Sequence, residues 1–251
     1  MQKIVFYRYP PERRRPRAGS ENYHESGART MLDLIYSGLK PDHNVLDVGS
    51  GIGRVALPLT QYLNSTSHYI GIEIIFDAVS WCYENIHTRY PNFEFKHVNA
   101  ENPYYNDSKI KQTKLDLPVE ENYADFIFMN SVFTHLHPED SQYYVRELSK
   151  KIKIGGLFWC TWFIIDDEST ALMEEGMSRY DMLWTSDEIA YYPTSEKSTV
   201  CVGYRLSFIE SIMAENGFVL ERPVDMGGWC GRKPRSNTKS IAQDVFLFRK
   251  S

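Results

Sequence analysis

Apolar residues fall in short blocks separated by polar stretches, and the spacing inside the blocks changes along the chain. Val45, Leu46 and Val48 make a nearly continuous apolar block ahead of a glycine-rich turn, which predicts a buried strand. Residues 69–75 form a second block that carries one carboxylate, Glu73. Residues 93–98 alternate instead, with Phe93, Phe95 and His97 on one side, as strands do. Blocks at 126–128 and 157–165 predict two more buried strands, the second following a turn at Gly155 and Gly156.

Between these blocks the apolar positions recur at helical spacing. Residues 52–63 predict a helix that Pro58 should kink or shorten. Residues 76–90 put Ala78, Val79, Cys82, Tyr83 and Ile86 on one face, and Pro91 and Asn92 stop the run. Further helices are predicted at 28–39, 140–152 and 204–216, with strands at 218–220 and 245–248. The polar stretch from 99 to 119 reads as a surface loop, and 166–203 as an irregular insertion before the last helix. Strands alternating with helices predict the α/β class, a doubly wound and mostly parallel sheet. Such sheets bind ligands beyond the carboxyl ends of their strands.

The first turn carries the most chemistry. Gly49, Gly51 and Gly53, with Ser50 among them, let the backbone turn tightly and approach a ligand. Turns of this form usually hold dinucleotides, with the pyrophosphate at a helix N-terminus. Asp47 is discordant, because a carboxylate beside the first glycine repels that anion. It suits a cation, or a ligand rich in amino and hydroxyl groups. Glu73 follows Gly53 at about the spacing of a second-strand acid that accepts from ribose hydroxyls.

These residues resemble the class I S-adenosylmethionine-dependent methyltransferases, whose first motif is acid-x-Gly-x-Gly-x-Gly, and in particular bacterial members acting on sugars and small molecules. The resemblance covers residues 40–165 and, more loosely, 204–249. It implies a Rossmann-like seven-stranded sheet ending in an antiparallel strand, reached through a hairpin-like excursion at 234–239. It implies S-adenosylmethionine as cofactor, with Asp47, Gly49, Ser50 and Gly51 around it, Glu73 on both ribose hydroxyls and Ile74 on adenine. Asn99 and Ala100 follow the third strand, where the family usually has an acid accepting from the adenine amino group. Asn99 departs from that acid, although its amide oxygen can accept the same bond. Asn130 and Ser131 close the fourth strand and flank the methionine moiety and the substrate. Residues 131–140 look like the small-molecule type, not like the Asn-Pro-Pro-Tyr of amino-methylating relatives. Residues 102–105 resemble that tetrapeptide only superficially and read as a loop.

His135 is the candidate base. Methyl transfer from a sulfonium needs alignment above all, but an aliphatic alcohol must also lose its proton, and a nearby histidine can take it. The alternative is that His135 caps a turn or bonds a backbone carbonyl. His137 reads as a surface residue, and Glu139 and Asp140 as the acids a helix N-terminus favours. Substrate contacts are expected from Tyr23 ahead of the core, from Tyr191 and Tyr192 in the aromatic insertion, and from Trp229 and Arg232. Trp229 could close over an acceptor ring and Arg232 could pair an acidic group, or both could belong to an ordinary surface hairpin. Asp166 and Asp167 are neighbours, but two adjacent carboxylates are little reason to expect a metal, and a solvated loop with no metal is the expectation.

Composition narrows the classes. The chain has 251 residues with 42% hydrophobic content, enough for one core, so a single domain is expected: an arm and helix at 1–40, a cofactor-binding core at 41–165, the insertion at 166–203 and a closing part at 204–251. A net charge of −5 gives no general attraction to nucleic acid. The arm at 7–17 nevertheless holds five arginines among prolines, which suits a solvated arm or a phosphate contact on RNA or a nucleotide sugar. No apolar stretch is long enough to span a membrane, and the four cysteines lack paired spacing, so a cytoplasmic location is expected. The expected partner is a small-molecule or saccharide acceptor. Methylation of RNA or another polymer, or a cofactor-binding scaffold without activity, are the other readings, and the oligomeric state is not legible.

Overall fold

The computed structural model describes residues 22–99, 117–233 and 242–251. Among them, nine strands form two sheets: β1 (Val45–Val48), β2 (Tyr69–Glu73), β3 (Phe93–His97), β4 (Ala124–Met129), β5 (Ile152–Trp162), β6 (Ala190–Tyr191), β7 (Gly203–Tyr204), β8 (Phe218–Leu220) and β9 (Asp244–Lys250). The helices are α1 (Tyr23–Tyr36), α2 (Ala56–Leu59), α3 (Phe76–Cys82), α4 (Pro138–Lys151), α5 (Asp167–Glu174) and α6 (Leu206–Glu215). The main sheet has seven strands in the order β3-β2-β1-β4-β5-β9-β8, and β6 pairs with β7 in a separate hairpin. β1 to β5 are parallel, whereas β9 runs antiparallel to both β5 and β8. The strand order reverses between β1 and β4, which is where a doubly wound sheet opens a crevice for ligand.

Strand periodicity sorts the core into two layers. Val45, Tyr69, Phe93, Phe126, Trp159 and Leu247 face one side, where they meet Leu34 of α1 and Ala78, Val79 and Cys82 of α3. Leu46, Ile70, Ile127, Phe158 and Phe246 face the other, against Val145 and Leu148 of α4 and Ile209 and Ile212 of α6. Because both faces are covered, β1, β2 and β4 read as apolar blocks, whereas β3 at the sheet edge alternates. α1 sits flush on the glycine turn: a Cβ at Gly27 would lie 2.1 Å from the Arg54 carbonyl oxygen.

Several elements differ from the sequence expectation. The helix expected at 52–63 shrinks to Ala56–Leu59, because Gly51 and Gly53 hold left-handed backbone that ends any helix before it starts. Pro58 falls in the first turn, where its missing N–H has no intrahelical partner to lose. The helix at 76–90 turns π-helical over Tyr83–His87. There the Asn85 side-chain amide donates to the Trp81 carbonyl at 2.8 Å, taking the acceptor that an α-helix reserves for the Asn85 backbone. α1 starts earlier than expected, at Tyr23, and β5 starts at Ile152, with a register shift between Ala124 and Phe126 of β4 absorbing the irregularity. The insertion is not irregular. It contains α5 and the β6–β7 hairpin, packed on a third apolar cluster that includes Phe163, Met182, Cys201 and Trp229. The expected excursion at 234–239 and the loop at 102–105 lie outside the described residues, as does the basic arm.

Candidate functional site: the glycine turn and the end of the fourth strand

β1 delivers Asp47 and then turns sharply at Gly49, whose φ is +82°. The N–H groups of Gly49 and Ser50 both donate to the Ile72 carbonyl, at 2.8 and 3.0 Å, and tie the turn to β2. A Cβ on Gly49 would lie 2.5 Å from Val132 Cγ2, so the turn and the segment after β4 are in contact. Gly49 is exposed while Val48 and Ser50 beside it are buried, which leaves open backbone on the crevice side. The Ser50 hydroxyl is buried without a hydrogen-bond partner.

Two carboxylates stand beneath this turn. Glu73 Oε2 accepts from Gly51 N–H at 2.8 Å, and Oε1 accepts from Ile74 and Ile75 N–H at 2.8 and 2.9 Å. Burial raises the Glu73 carboxyl above its ordinary value, and these three bonds pull it back. Oε1 has both lone pairs engaged by these bonds, whereas Oε2 retains one for a further donor. Asp47 accepts a short hydrogen bond from the Tyr69 hydroxyl. Burial lifts its carboxyl to about 7, against the pull of Tyr69 and of the Arg54 charge. Two more side chains hold the turn's carbonyls: Tyr23 donates to Ile52 at 2.8 Å and Cys82 Sγ to Gly51 at 3.6 Å.

The segment after β4 faces the turn from the other side. Ser131 has φ +60°, a left-handed conformation that costs a non-glycine residue about 1 kcal/mol or more. Two bonds hold it there: its N–H donates to Thr161 Oγ1 at 2.8 Å and its hydroxyl to Gln243 Oε1 at 2.9 Å. The next residues are bound to the insertion one after another. Val202 N–H donates to the Thr134 carbonyl at 2.8 Å, His135 Nδ1 bonds the Thr199 carbonyl at 3.0 Å, and the Tyr204 hydroxyl donates to the Leu136 carbonyl at 2.6 Å. His137 Nδ1 then meets the Tyr192 hydroxyl at 3.2 Å. Burial lowers the His135 pKa, opposed by its bonds to the carbonyls of Thr199 and Val200, so the neutral imidazole is favoured.

A family model described as a methyltransferase domain matches residues 39–202, which contain the glycine turn, both carboxylates and the segment after β4. The chain belongs to the class I S-adenosylmethionine-dependent methyltransferases. Solved structures share this fold at low identity. The PH0226 protein of Pyrococcus horikoshii matches with a TM-score of 0.61 and 16% identity over 92% of each chain. The magnesium protoporphyrin IX methyltransferase of Synechocystis, with S-adenosylhomocysteine bound, gives 0.53 and 16% over 91% of this chain and 83% of that one. A Haloferax volcanii methyltransferase in complex with the Trm112 activator gives 0.57 and 12% over 91% and 90%.

The donor set of this methyltransferase fits its cofactor. A sulfonium and an ammonium want carboxylates nearby, and a ribose diol wants an acceptor that is already fixed. Asp47 and Glu73 are carboxylates of the kind these groups require, and Gly49 leaves open backbone beside them. Asn99 lies exposed after β3, Asn130 and Ser131 are half-buried after β4, and Ala100 falls outside the described residues. Among the described residues no three His, Cys, Asp or Glu side chains converge as a metal ion requires. No described helix is long and apolar enough to cross a membrane.

All five residues expected to touch substrate are buried in this methyltransferase. Tyr23 is 1% exposed and props the turn from behind. Tyr192 is buried against His137, which is therefore half-buried and not a surface residue. Trp229 is 1% exposed, and its indole N–H donates to Asp244 Oδ2 at 2.8 Å, so it cannot swing over an acceptor. Arg232 is 4% exposed and committed to Asp166, at 2.7 Å to both oxygens, and to Glu168 at 2.8 Å, so an acidic substrate would have to displace them. Asp166 is accordingly not a solvated loop residue: it caps α5, accepting from Ser169 N–H at 2.7 Å. Tyr191 is also buried, with the Arg205 guanidinium 5.0 Å above its ring. Sequence reading gave Tyr69 and Arg54 no role, and set Gln243 and Asp244 beside the Trp229 stretch without seeing that they bond Ser131 and Trp229. For Tyr69 a signal existed: Gly71 lies beside Asp47 across the strand pair, and leaves room for an aromatic two residues back to reach the acid.

Proposed function

We propose that this methyltransferase methylates a hydroxyl of a small molecule or saccharide, with His135 as the base. The contact of Gly49 with Val132 carries the reading, because it sets the segment that bears His135 against the cofactor turn. The cofactor supplies an electrophilic methyl group, and the chain's own residues do the rest. Glu73 fixes the ribose, and Asp47 lowers the energy of the bound cation. Asn99 and Ala100 frame the adenine with Ile74, while Asn130 and Ser131 flank the reacting end. The acceptor oxygen takes the methyl group in line, its proton passes to the His135 imidazole, and a neutral thioether is left. Burial keeps His135 unprotonated near neutral pH, as a base must be.

A coupled assay for S-adenosylhomocysteine release, run against a panel of sugars, sugar phosphates, phenols and aliphatic alcohols, tests the acceptor class. Methylation of at least one hydroxyl supports the reading. Turnover confined to amines, carboxylates or RNA would overturn it.

A further inference from the structure

Beneath the glycine turn lies a cluster of ionisable side chains from several elements, all buried from solvent to a large degree. Asp47 of β1 is 2% exposed and Tyr69 of β2 is wholly buried. Glu73 of β2, Arg54 of the turn, Tyr23 of α1 and Cys82 of α3 complete the set of groups that act electrostatically on this pair. Each of the other members has its own task. Tyr23 and Cys82 hold carbonyls of the turn, Glu73 holds the Gly51 N–H, and the Arg54 charge acts on Asp47 without a hydrogen bond to it among the described residues. Tyr69 alone among the described residues gives Asp47 a side-chain hydrogen bond. Its ring is fixed by Phe93, stacked at 4.8 Å, and by Phe95 at 5.7 Å, so the hydroxyl has one direction to point.

We propose that Tyr69 is a positioning residue of the cofactor site, whose hydroxyl keeps Asp47 ionised and aimed so that cofactor binding persists through neutral pH. This rests on the assignment of Asp47 to the cofactor made above. The physics is a competition. A buried carboxyl prefers its neutral form, and a neutral Asp47 offers the cofactor's cation no opposite charge. A donor that cannot ionise is the counterweight. Burial and the Asp47 charge push the Tyr69 phenol well above its ordinary value, so it remains a donor at every accessible pH. With Asp47 lifted to about 7, the site titrates where cells work, and the Tyr69 bond decides on which side it falls. A cation binds the ionised form better, so affinity rises with pH through that value and then levels off.

Calorimetry with S-adenosylmethionine and with S-adenosylhomocysteine, from pH 5.5 to 8.5, reads this without any acceptor. Comparing proteins at each pH cancels the titration of the cofactor itself. For Tyr69→Phe, which keeps the ring packing, the rise in affinity shifts upward by about one pH unit, with a three- to tenfold loss at pH 7 that largely recovers at pH 8.5. Asp47→Asn should bind more weakly at high pH and show a flat profile. If Asp47→Asn keeps wild-type affinity and slope, the cofactor assignment of Asp47 fails. If that variant behaves as stated but Tyr69→Phe follows the wild-type curve, the role given to Tyr69 is wrong. A loss of affinity equal at every pH, with a lowered melting temperature, would make Tyr69 a packing residue only.

Discussion

At the glycine turn and at the start of β9 the chain buries a carboxylate and surrounds it with donors, but the two places are assembled over different distances. Under the turn, the longest side-chain bonds run 31 residues, from Cys82 to Gly51, and 29 residues, from Tyr23 to Ile52. At β9, Asp244 accepts from Ile164 N–H 80 residues earlier, at 2.7 Å, and from Gly227 N–H and Trp229 Nε1, both at 2.8 Å. Arg232 lies 3.6 Å from the same carboxylate and bridges onward to the start of α5. The first cluster leaves open backbone above it. In the second, Asp244 and Arg232 are both buried, and Arg232 Nη1 has no hydrogen-bond partner among the described residues. The difference separates a buried charge beneath open backbone, where the proposed cofactor site lies, from one that fastens a segment. The segment between the two ends, residues 134–137, is bound to the insertion that the second cluster fastens.

The sharpest way to break this comparison is at His135, which belongs to both regions. His135→Ala should lower kcat by roughly 10²–10⁴ with S-adenosylhomocysteine affinity nearly unchanged. Wild-type kcat should rise with pH through a value below the ordinary histidine range and then flatten, since burial lowers the His135 pKa. A variant that keeps its rate and loses only melting temperature would show that His135 serves the insertion alone. Next in size, Arg232→Ala leaves Asp244 and the acids of α5 without their cation. A destabilisation of about 3–5 kcal/mol in urea unfolding is expected, with cofactor affinity in the surviving folded protein unaffected. Coupled losses of stability and affinity would merge the two regions into one.

Glu73→Ala removes the acceptor proposed for the two ribose hydroxyls and should weaken S-adenosylhomocysteine binding by about 2–4 kcal/mol in calorimetry. Unchanged affinity would refute the ribose assignment. The smallest effect concerns pH and Asp244. Its folded pKa is raised from the ordinary carboxyl range to about 6, mainly by burial. Its contribution to stability is therefore fully present below the unfolded value near 4 and is lost as pH rises through about 6. The melting temperature of the wild type relative to Asp244→Asn should climb as pH falls from 7.5 to 5. A constant difference across that range would place the Asp244 titration elsewhere.

What could be read in the sequence follows the same division. Asp47, the glycines and Glu73 lie in two short segments whose spacing is fixed by one strand–turn–helix unit, so their meeting is a local matter. The doubly wound, mostly parallel architecture was also legible, because apolar blocks alternating with helical periods permit few topologies, but the order of the strands was not read. Trp229 and Arg232 were misread because an aromatic and a cation in a glycine-rich stretch look the same whether they close over a ligand or onto the protein. What decides is Asp244, at the start of an otherwise apolar strand, and nothing near it in sequence shows that the Ile164 and Gly227 N–H groups would need an acceptor. The bonds from residues 134–137 to the insertion were hidden for the same reason, since they depend on where the β6–β7 hairpin docks.

The seat of α1 at Gly27 has a mechanical meaning. With an added methyl only 2.1 Å from the Arg54 carbonyl oxygen, the helix and the turn mesh like a tooth in a notch. The seat therefore accepts only glycine, and the close approach it allows is what lets Tyr23, on the same helix, reach the Ile52 carbonyl. Displacing α1, whose outer face exposes Leu32 and Tyr36, would break that bond and release a carbonyl of the glycine turn.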